Sequence, residues 1–581
     1  MQARPLQLQR VGHSCIRAFI RAAAVVACGH FCVSSQAAER EDLLRAQEQQ
    51  RQQALRDQSS GPAPTLRAGV AAARQPYPLE PAPCFSLHTL ALPADMPPRL
   101  QRGLQSEWAI VREHCLGALG LGALSANLNS HVREAGYPTS RIELPAQNLS
   151  QGVLAAHWLP GSVKLVRELP GAVGRSSLPL AADHTLTIAD LDQAADWYNR
   201  LPSLAARLLV LPTDEPLAHI VEVQVQAARP WRASLTVDNS SPHEFGVAQA
   251  SAQIALDRPS ALLGLAPLLD QLALDLGANP QRHSAYRSNL NVGWNYSLPL
   301  GYHLFAIHGR SGQSARRIQG TSVDFVQHGN DSSTGARWTW TWQRSAQTKA
   351  NLWLAAERRG AHRDIDDVEL VLQRRKTLAA EVGGNLWLRS SVAGRTLDWA
   401  IDASLARVKR RVALDAFEPE PVPKMREGRL TVATSVPWLP DGASGAAPRV
   451  DIKLSLHRVA NPIAPSDLPL IGTRYAVRGF NGDTPLQGPQ AAVLRTDWRW
   501  PAVAVRNGMA QVSPYLGLDI GAVRNPPTAN PPQRWLSGMV LGMQGRSGPA
   551  VLELAMATSL HAAQGIPARH WVPSVSLSVD I

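Results

Sequence analysis

The sequence predicts a closed, membrane-spanning β-barrel of about 16 antiparallel strands, preceded by two small α+β domains and an N-terminal helix. Three observations predict this fold. Residues 231–581 alternate apolar and polar side chains in segment after segment, the first residues resemble an export signal, and no later stretch contains the roughly 18 uninterrupted apolar residues that a membrane helix needs. An exported chain that enters a membrane without such a helix has to enter it as a closed barrel.

Residues 1–38 are predicted to be a signal peptide. An apolar run, residues 22–33, is followed by small residues at the expected cleavage positions, 35–37. The basic part before the run carries Arg4, Arg10, Arg17 and Arg21. A membrane anchor is the alternative, but the run is too short to cross a bilayer. The sequence therefore predicts export.

The remaining cysteines are an even pair. Cys84 and Cys115 lie outside the predicted signal peptide, which contains the other three cysteines. An even pair in an oxidising compartment favours one disulfide. A metal site would need further ligands at close spacing, and the sequence offers none there. We predict a Cys84–Cys115 disulfide that ties the first strand to the end of the first helix, and no metal site.

The net charge of +12 and the isoelectric point near 9.9 do not predict nucleic-acid binding. The basic residues are spread evenly along the chain, without a basic stripe and without interleaved aromatic residues. No nucleic acid is therefore expected among the partners.

Two segments precede the first predicted domain. Residues 39–58 contain helix formers and neither glycine nor proline, but few apolar residues. A helix that is polar on nearly all sides is either a solvated arm or a plug in a water-filled lumen. Residues 59–83 are rich in proline, alanine and glycine and are predicted to be a linker.

Two consecutive α+β domains are predicted at 84–169 and 170–230. In each, amphipathic helical patterns are combined with short extended segments. Thr187 and Asp190 resemble a capping box at the start of the helix in the second domain. Exposed sheet edges in such domains can accept an extended partner by strand addition.

The alternation that predicts the barrel is clear in four segments of the 231–581 region: 289–296, 338–342, 450–457 and 574–581. A two-residue period with polar partners indicates sheets that are apolar on one face and wet on the other. A soluble β-sandwich gives the same local pattern. The number of such segments, behind an export signal, favours an even-numbered barrel.

The sequence contains no complete enzymatic motif. His243-Glu244 lacks the second histidine of a zinc-protease helix, and neither a G-x-S-x-G elbow nor a P-loop is present. Gly117, Gly120 and Gly122 form only an incomplete dinucleotide pattern, which favours helix-start chemistry. We therefore expect neither an enzyme nor a cofactor.

The stretch Val477-Arg478-Gly479-Phe480 lies in a segment, 467–490, that is too long for a tight turn between strands. An always-charged guanidinium among apolar neighbours needs a carboxylate or a wet cavity. Asp519 alternates with Leu518 and Ile520, so it faces the lumen if they face lipid. Arg478 and Asp519 are therefore candidates for a charge-assisted pair inside the barrel, although Asp519 could also be a solvated lumen residue.

These residues resemble the two-partner secretion outer-membrane transporters, the TpsB family (FhaC/ShlB/HecB-like), which belong to the BamA-related superfamily. Residues 477–480 resemble the family's V-R-G-F motif in a loop folded back into the barrel, and 515–521 resemble the late-strand motif whose aspartate pairs with that arginine. Residues 190–202 resemble the helix of the second POTRA domain, and the cysteine pair resembles one often seen in the first POTRA domain. The helix at 39–58 occupies the position of the family's plug helix.

The resemblance implies a translocator in the outer membrane of a Gram-negative bacterium, with its POTRA domains in the periplasm. It would recognise one large secreted exoprotein, such as a haemolysin, an adhesin or a contact-dependent toxin, and export it through the barrel without ATP. Outer-membrane lipid would surround the protein, which is expected to be a monomer. A BamA-like insertase and a passive porin are the alternatives. Two POTRA domains favour secretion over the insertase, and their presence argues against a porin.

Overall fold

The computed structural model describes residues 74–78, 83–112, 114–169, 174, 177–241, 246–279, 287–319, 324–371, 374–410, 424–440, 447–462, 465–505, 508–525 and 533–581. The predicted signal peptide and the predicted helix at 39–58 lie outside these residues. Within the described ranges, no helix is both long and apolar enough to cross a membrane.

The first α+β unit packs two helices, α1 and α2, against short strands. Its elements are β1 (Phe85–Ser86), β2 (Thr89–Ala91), α1 (Pro98–Val111), β3 (Cys115–Leu116), α2 (Ala118–Glu134), β4 (Arg141–Glu143), β5 (Val153–Ala155) and β6 (His157–Leu159). Leu104, Leu124 and Leu128 are fully buried between the helices and the strands. Gly136 has a φ of 94° directly after α2, a left-handed conformation that glycine adopts without steric cost.

Cys84 and Cys115 form a disulfide with a Cα–Cα distance of 5.3 Å. The bond joins the residue before β1 to β3 and so reinforces the β1–β3 pair, in which Ser86 lies opposite Cys115. It joins positions that are 31 residues apart in the sequence. The cross-link therefore fastens α1, which lies between the two cysteines, within the first unit.

The second unit contains α3 (Ile188–Asn199) and a three-stranded sheet in the order β7–β9–β8, formed by β7 (Ser162–Leu169), β8 (Leu204–Pro212) and β9 (Ala218–Ala227). The capping box of Thr187 and Asp190 is confirmed, since the side chain of each accepts a hydrogen bond from the other's backbone N–H. Tyr198 is fully buried in the core of this unit.

The strand β7 corrects the predicted boundary between the two domains. The ranges 84–169 and 170–230 place this strand in the first domain, but β7 pairs in parallel with β9 of the second sheet. An alternating pattern shows that a segment is extended without showing which sheet it joins. The second sheet therefore begins at Ser162.

Sixteen long strands of the described chain form a closed antiparallel barrel, in which the first strand, β10 (Trp231–Asp238), pairs with the last, β29 (Val572–Asp580). Two short strands, β17 and β25, extend hairpins of this wall. The strands are β10 (Trp231–Asp238), β11 (Gln249–Asp257), β12 (Gln271–Ala278), β13 (Arg287–Leu300), β14 (His303–Gln319), β15 (Asp324–Arg344), β16 (Thr348–Ile365), β17 (Val368–Glu369), β18 (Arg375–Val392), β19 (Arg395–Arg410), β20 (Lys424–Pro437), β21 (Arg449–Ala460), β24 (Gln490–Arg499), β25 (Val503–Val505), β26 (Ala510–Arg524), β27 (Gln533–Ser547), β28 (Ala550–His561) and β29 (Val572–Asp580).

The barrel wall follows the alternation in the sequence. Trp338, Trp340 and Trp342 of β15 are exposed on the outer face, whereas Thr341 between two of them is buried. Leu518 and Ile520 of β26 are likewise exposed on either side of a buried aspartate. Apolar side chains on the outer face and polar ones towards the lumen are typical of a membrane barrel.

The second unit is docked on one rim of the barrel through α3. The carboxylate of Asp196 accepts hydrogen bonds from Arg344 at 3.2 Å and from Lys349 at 2.9 Å. Trp197 donates its indole N–H to the carbonyl oxygen of Gly301 at 2.7 Å. Both cations lie in a buried interface, so Asp196 compensates charges that would otherwise be costly to desolvate.

Arg200, at the end of α3, adds a second contact with the rim. It donates to the hydroxyl of Ser297 at 2.7 Å. Burial lowers the pKa of Arg200 to about 10, although the negative charges of Asp257 and Asp270 oppose that shift. The guanidinium therefore stays charged at neutral pH and adds to the polar interface between α3 and the barrel.

We expect loss of the disulfide to destabilise the first unit. Replacing both cysteines, Cys84→Ala with Cys115→Ala, should lower its free energy of unfolding by roughly 3–4 kcal/mol, because a cross-link over this sequence separation restricts the unfolded chain. Proteolysis of the full-length protein at increasing urea concentration measures the change. Reduced wild-type protein should unfold at the same urea concentration as the variant. An unfolding midpoint that does not change on reduction would contradict the prediction.

We expect Asp196→Ala to release the second unit from the rim, because it removes the carboxylate of buried Lys349 and the nearer of the two carboxylates beside Arg344. Such a loss costs about 3–5 kcal/mol. The distribution of distances between a spin label on α3 and one on the barrel should broaden. Glu215→Ala is the control, since Glu215 pairs with Lys164 on an exposed surface, where ion pairs contribute little. An equally narrow distribution in both variants would show that Asp196 does not hold the interface.

Candidate functional site

The segment between β21 and β24, described at residues 465–489, folds into the barrel lumen. Its short strands β22 (Leu470–Ile471) and β23 (Leu486–Gln487) pair with each other. Apolar residues of the segment form one buried cluster with inward-facing residues of the wall and with one residue of the β28–β29 connection. The cluster contains Ile471, Ala476, Val477, Phe480, Leu486, Val493, Val523, Leu536 and Ala563. We call this segment the lumen loop.

Arg478 and Asp519 are brought together at the tip of the lumen loop. The guanidinium donates from Nε to Asp519 Oδ2 at 2.7 Å and from Nη2 to Asp519 Oδ1 at 2.7 Å. The backbone N–H of Arg478 also donates to Oδ2, at 2.8 Å. Arg478 is 9% exposed and Asp519 is 3% exposed. This two-pronged, charge-assisted geometry is the strongest form of an arginine–carboxylate contact.

Asp497 of β24 provides a second carboxylate for Arg478. Its Oδ1 atom accepts from Arg478 Nη2 at 2.6 Å. Arg495 of the same strand lies opposite Asp519 in the ladder and donates to the carbonyl oxygen of Tyr475 at 3.1 Å. The loop tip is therefore held by side chains of both β24 and β26.

The sequence analysis did not identify Asp497 and Arg495 as site residues. The available signal was a run of charged residues at every second position of one strand, 495, 497 and 499. Charges with that spacing lie on the same face of a strand, and in the membrane-spanning part of a barrel wall they favour the lumen face.

Glycines in the wall make room for the loop tip. A Cβ atom at Gly538 would overlap the carbonyl oxygen of Arg478, and one at Gly517 would overlap its guanidinium. Gly479 has a φ of 98°, and a Cβ there would overlap the carbonyl group of Thr558. The V-R-G-F stretch therefore needs its glycine both for backbone conformation and for close approach to β28.

The base of the lumen loop reaches the closure of the barrel. Arg474 donates to the side-chain oxygen of Asn239 at 3.0 Å. Asn239 directly follows β10, and the same oxygen accepts the backbone N–H of Val575 in β29 at 2.9 Å. One carboxamide thus joins the loop to the two strands that close the barrel. Among the described residues, no group of three or more histidine, cysteine, aspartate or glutamate side chains has the geometry of a metal site.

Two protein-family models match parts of the chain. Residues 219–545 match the family described as haemolysin secretion/activation protein ShlB/FhaC/HecB, and residues 100–161 match the ShlB-type POTRA domain. The outer membrane transporter CdiB-2 of Burkholderia pseudomallei (strain 1026b) is 24% identical over 551 residues, which cover 90% of this chain and 91% of the relative. The hemolysin transporter protein HpmB of Proteus mirabilis is 23% identical over 422 residues, 71% of each chain.

Solved structures show the same fold. CdiB from Escherichia coli superposes with a TM-score of 0.76 at 20% identity, covering 95% of this chain and 100% of that chain. CdiB from Acinetobacter baumannii gives a TM-score of 0.76 at 18% identity, covering 94% and 100%. Since the family match spans more than half of the sequence, the chain belongs to the ShlB/FhaC/HecB family of haemolysin secretion/activation proteins, and it is a two-partner secretion transporter of the outer membrane with its POTRA domains in the periplasm.

Proposed function

We propose that this transporter captures one large, unfolded exoprotein on its first POTRA domain and threads it through a pore that the lumen loop controls. The observation that carries this proposal is the ion pair of Arg478 and Asp519 inside a barrel that carries two periplasmic units. The cargo belongs to the class that contains haemolysins, adhesins and contact-dependent toxins. The transporter acts as a monomer and uses no ATP, so folding of the cargo outside the cell gives transport its direction.

Capture uses the groove between α2 and β4. The groove has a volume of about 740 Å³ and is lined by α2 residues and by the segment that follows β4. The side chain of Asn129 accepts from the N–H of Ile142 and donates to its C=O, both at 2.9 Å. A neighbouring β-strand would make the same two bonds. An extended cargo segment adds to β4 by taking the place of this carboxamide.

Gln147 fills a similar position at the far end of the groove. It accepts from the N–H of Ala155 at 2.7 Å and donates to its C=O at 2.8 Å. Two side-chain amides thus satisfy backbone groups that an unprotected sheet edge would expose. The empty transporter is protected against non-specific strand pairing, and the cargo has to compete with these amides.

Within the barrel, Arg478 and Asp519 hold the lumen loop against the wall formed by β24 and β26. The predicted plug helix at 39–58 leaves the lumen before transport, while the loop stays fastened at its tip. The loop then determines the width and the lining of the path that remains for the cargo. The lumen loop shapes the pore, and the ion pair of Arg478 and Asp519 keeps the loop in place without taking part in a reaction.

We expect Arg478→Ala to reduce secretion while the barrel remains inserted. The substitution leaves Asp519 buried without its main partner, a loss of about 3–5 kcal/mol that frees the loop tip. Secreted cargo is measured in the culture medium, and heat-modifiable gel migration reports the inserted barrel. Arg478→Lys should restore only part of the activity, because an ammonium group cannot donate in two parallel directions.

Arg449→Ala is the matched control for this experiment. Arg449 is an exposed arginine that contacts Asp451 near the other end of β21 and does not contact the loop tip. Its replacement should leave secretion unchanged. Normal secretion by Arg478→Ala would contradict the assigned role of the ion pair.

We expect Asn129→Ala to bind the amino-terminal domain of the cargo about tenfold more tightly. The variant removes two competing hydrogen bonds, each with a net value of about 1 kcal/mol, part of which water recovers. Titration of the purified full-length transporter measures the affinity. Asn148→Ala, outside the groove, serves as the control. Unchanged affinity, or cargo-induced protection of amides at 204–212 instead of 141–143, would move the capture site away from β4.

A further inference from the structure

The barrel end remote from the periplasmic units carries an unusual concentration of positive charge. Arg407 lies directly opposite Arg426 in the β19–β20 ladder, and Lys409 lies directly opposite Lys424. All four side chains are exposed. Like charges directly opposite each other on one face destabilise a sheet. The arrangement therefore favours a bound anion on this face.

These cations point away from the lumen. Val408 and Met425, which alternate with them, are buried together in one cluster. Leu405, two residues before Arg407 on the same face, is 68% exposed. Because successive side chains of a strand point to opposite faces, Arg407 and Arg426 share the outer face with Leu405.

The charged row continues across the next strands. Arg458 of β21 lies opposite Gln490 of β24, and Gln490 lies opposite Arg524 of β26. With neighbouring strands about 4.8 Å apart, the row extends for roughly 19 Å from β19 to β26. We call Arg407, Lys409, Lys424, Arg426, Arg458 and Arg524 the outer cation row. Its length suits a ligand with more than one anionic group.

An apolar depression lies on the membrane side of the outer cation row. It has a volume of about 720 Å³ and reaches up to Arg458 and Arg524. Small outward-facing residues form its floor, and larger apolar residues such as Leu405 border it. The floor residues are Gly384, Ala403, Gly428, Ala492 and Ala522. A shallow apolar hollow below a row of cations matches acyl chains below a phosphorylated headgroup.

We propose that this face binds a phosphorylated, multi-chain lipid of the outer leaflet. The lipid phosphates contact the outer cation row, and one or more acyl chains lie in the depression. Arginine and lysine side chains near a membrane surface attract anionic lipid headgroups, and guanidinium groups bind phosphate with two parallel hydrogen bonds. The bound lipid neutralises the opposed pairs of cations in the β19–β20 ladder.

The test uses the full-length protein, purified in detergent and stripped of lipid, with native mass spectrometry as the readout. The probes are diphosphoryl lipid A, monophosphoryl lipid A and inorganic phosphate. We expect tight binding of the diphosphoryl lipid, weaker binding of the monophosphoryl lipid, and no displacement of either by inorganic phosphate at the same concentration. Displacement by phosphate alone would show that the face binds a free anion and would overturn the proposal.

The double variant Arg407→Gln with Arg426→Gln removes one opposed pair. It should bind diphosphoryl lipid A about 30-fold more weakly, the effect expected from two cations near a membrane surface. Arg99→Gln with Arg112→Gln removes two exposed arginines of the first unit and should leave binding unchanged. Equal affinity in the wild-type protein and in the Arg407 and Arg426 variant would overturn the proposal.

A second variant tests the depression with every cation in place. Ala403→Phe fills the floor from the outer face and should weaken lipid binding, while heat-modifiable migration shows that the barrel is folded. Unchanged binding would show that no acyl chain lies there and would overturn the proposal.

The sequence between β19 and β20 carries three acidic residues, Asp415, Glu418 and Glu420, and the test has to separate their charges from those of a lipid. The triple variant Asp415→Asn, Glu418→Gln and Glu420→Gln should leave lipid binding intact and should not lower the melting temperature of the lipid-free protein. If that variant lowered the melting temperature of the lipid-free protein and bound lipid more tightly than the wild-type protein, the cations would already be neutralised by this segment, which would overturn the proposal.

Discussion

The position of the lumen loop depends on compensation of one buried charge. Arg478 remains ionised at any physiological pH, so its guanidinium enters the barrel only where carboxylates receive it. Asp519 satisfies it with two parallel hydrogen bonds, and Asp497 adds a third. A single arginine can fix a whole segment because breaking such a pair leaves an uncompensated charge in a poorly hydrated place. The loop is therefore placed by electrostatics at its tip and by apolar packing along its length.

The same place shows how a barrel wall accommodates a folded insert. Where the wall faces only water, any polar side chain fits. At Gly517 and Gly538 the lumen loop lies so close that a Cβ atom would overlap it. The wall and the loop are thus complementary in shape as well as in charge. A second electrostatic contact, between α3 and the rim, fixes the neighbouring POTRA domain through Asp196. The lumen loop and the domain are both docked on the barrel through buried cations that face carboxylates.

Much of the fold follows from local patterns. A two-residue period shows which side chains face lipid, so Leu518 and Ile520 alone predict that Asp519 faces the lumen. The cysteine pair and the capping box of Thr187 and Asp190 were also predictable, because each depends on a few residues of characteristic type. Strand partnership was not predictable in this way. Two examples are the pairing of β7 with the second sheet and the contact of Arg478 with Asp497. Both depend on strand register, which is set by contacts between segments far apart in the sequence.

The strands of the barrel differ greatly in length. β15 has 21 residues, whereas β11 has 9, a length that just crosses a membrane. The turn that follows β15 lies beside the docked α3, so the surplus of the long strands stands on the opposite side, outside the cell. The barrel wall therefore extends further beyond the membrane on the side of the long strands than on the side of the short ones. A large particle in the medium would reach the side of the long strands before it reached the lower side.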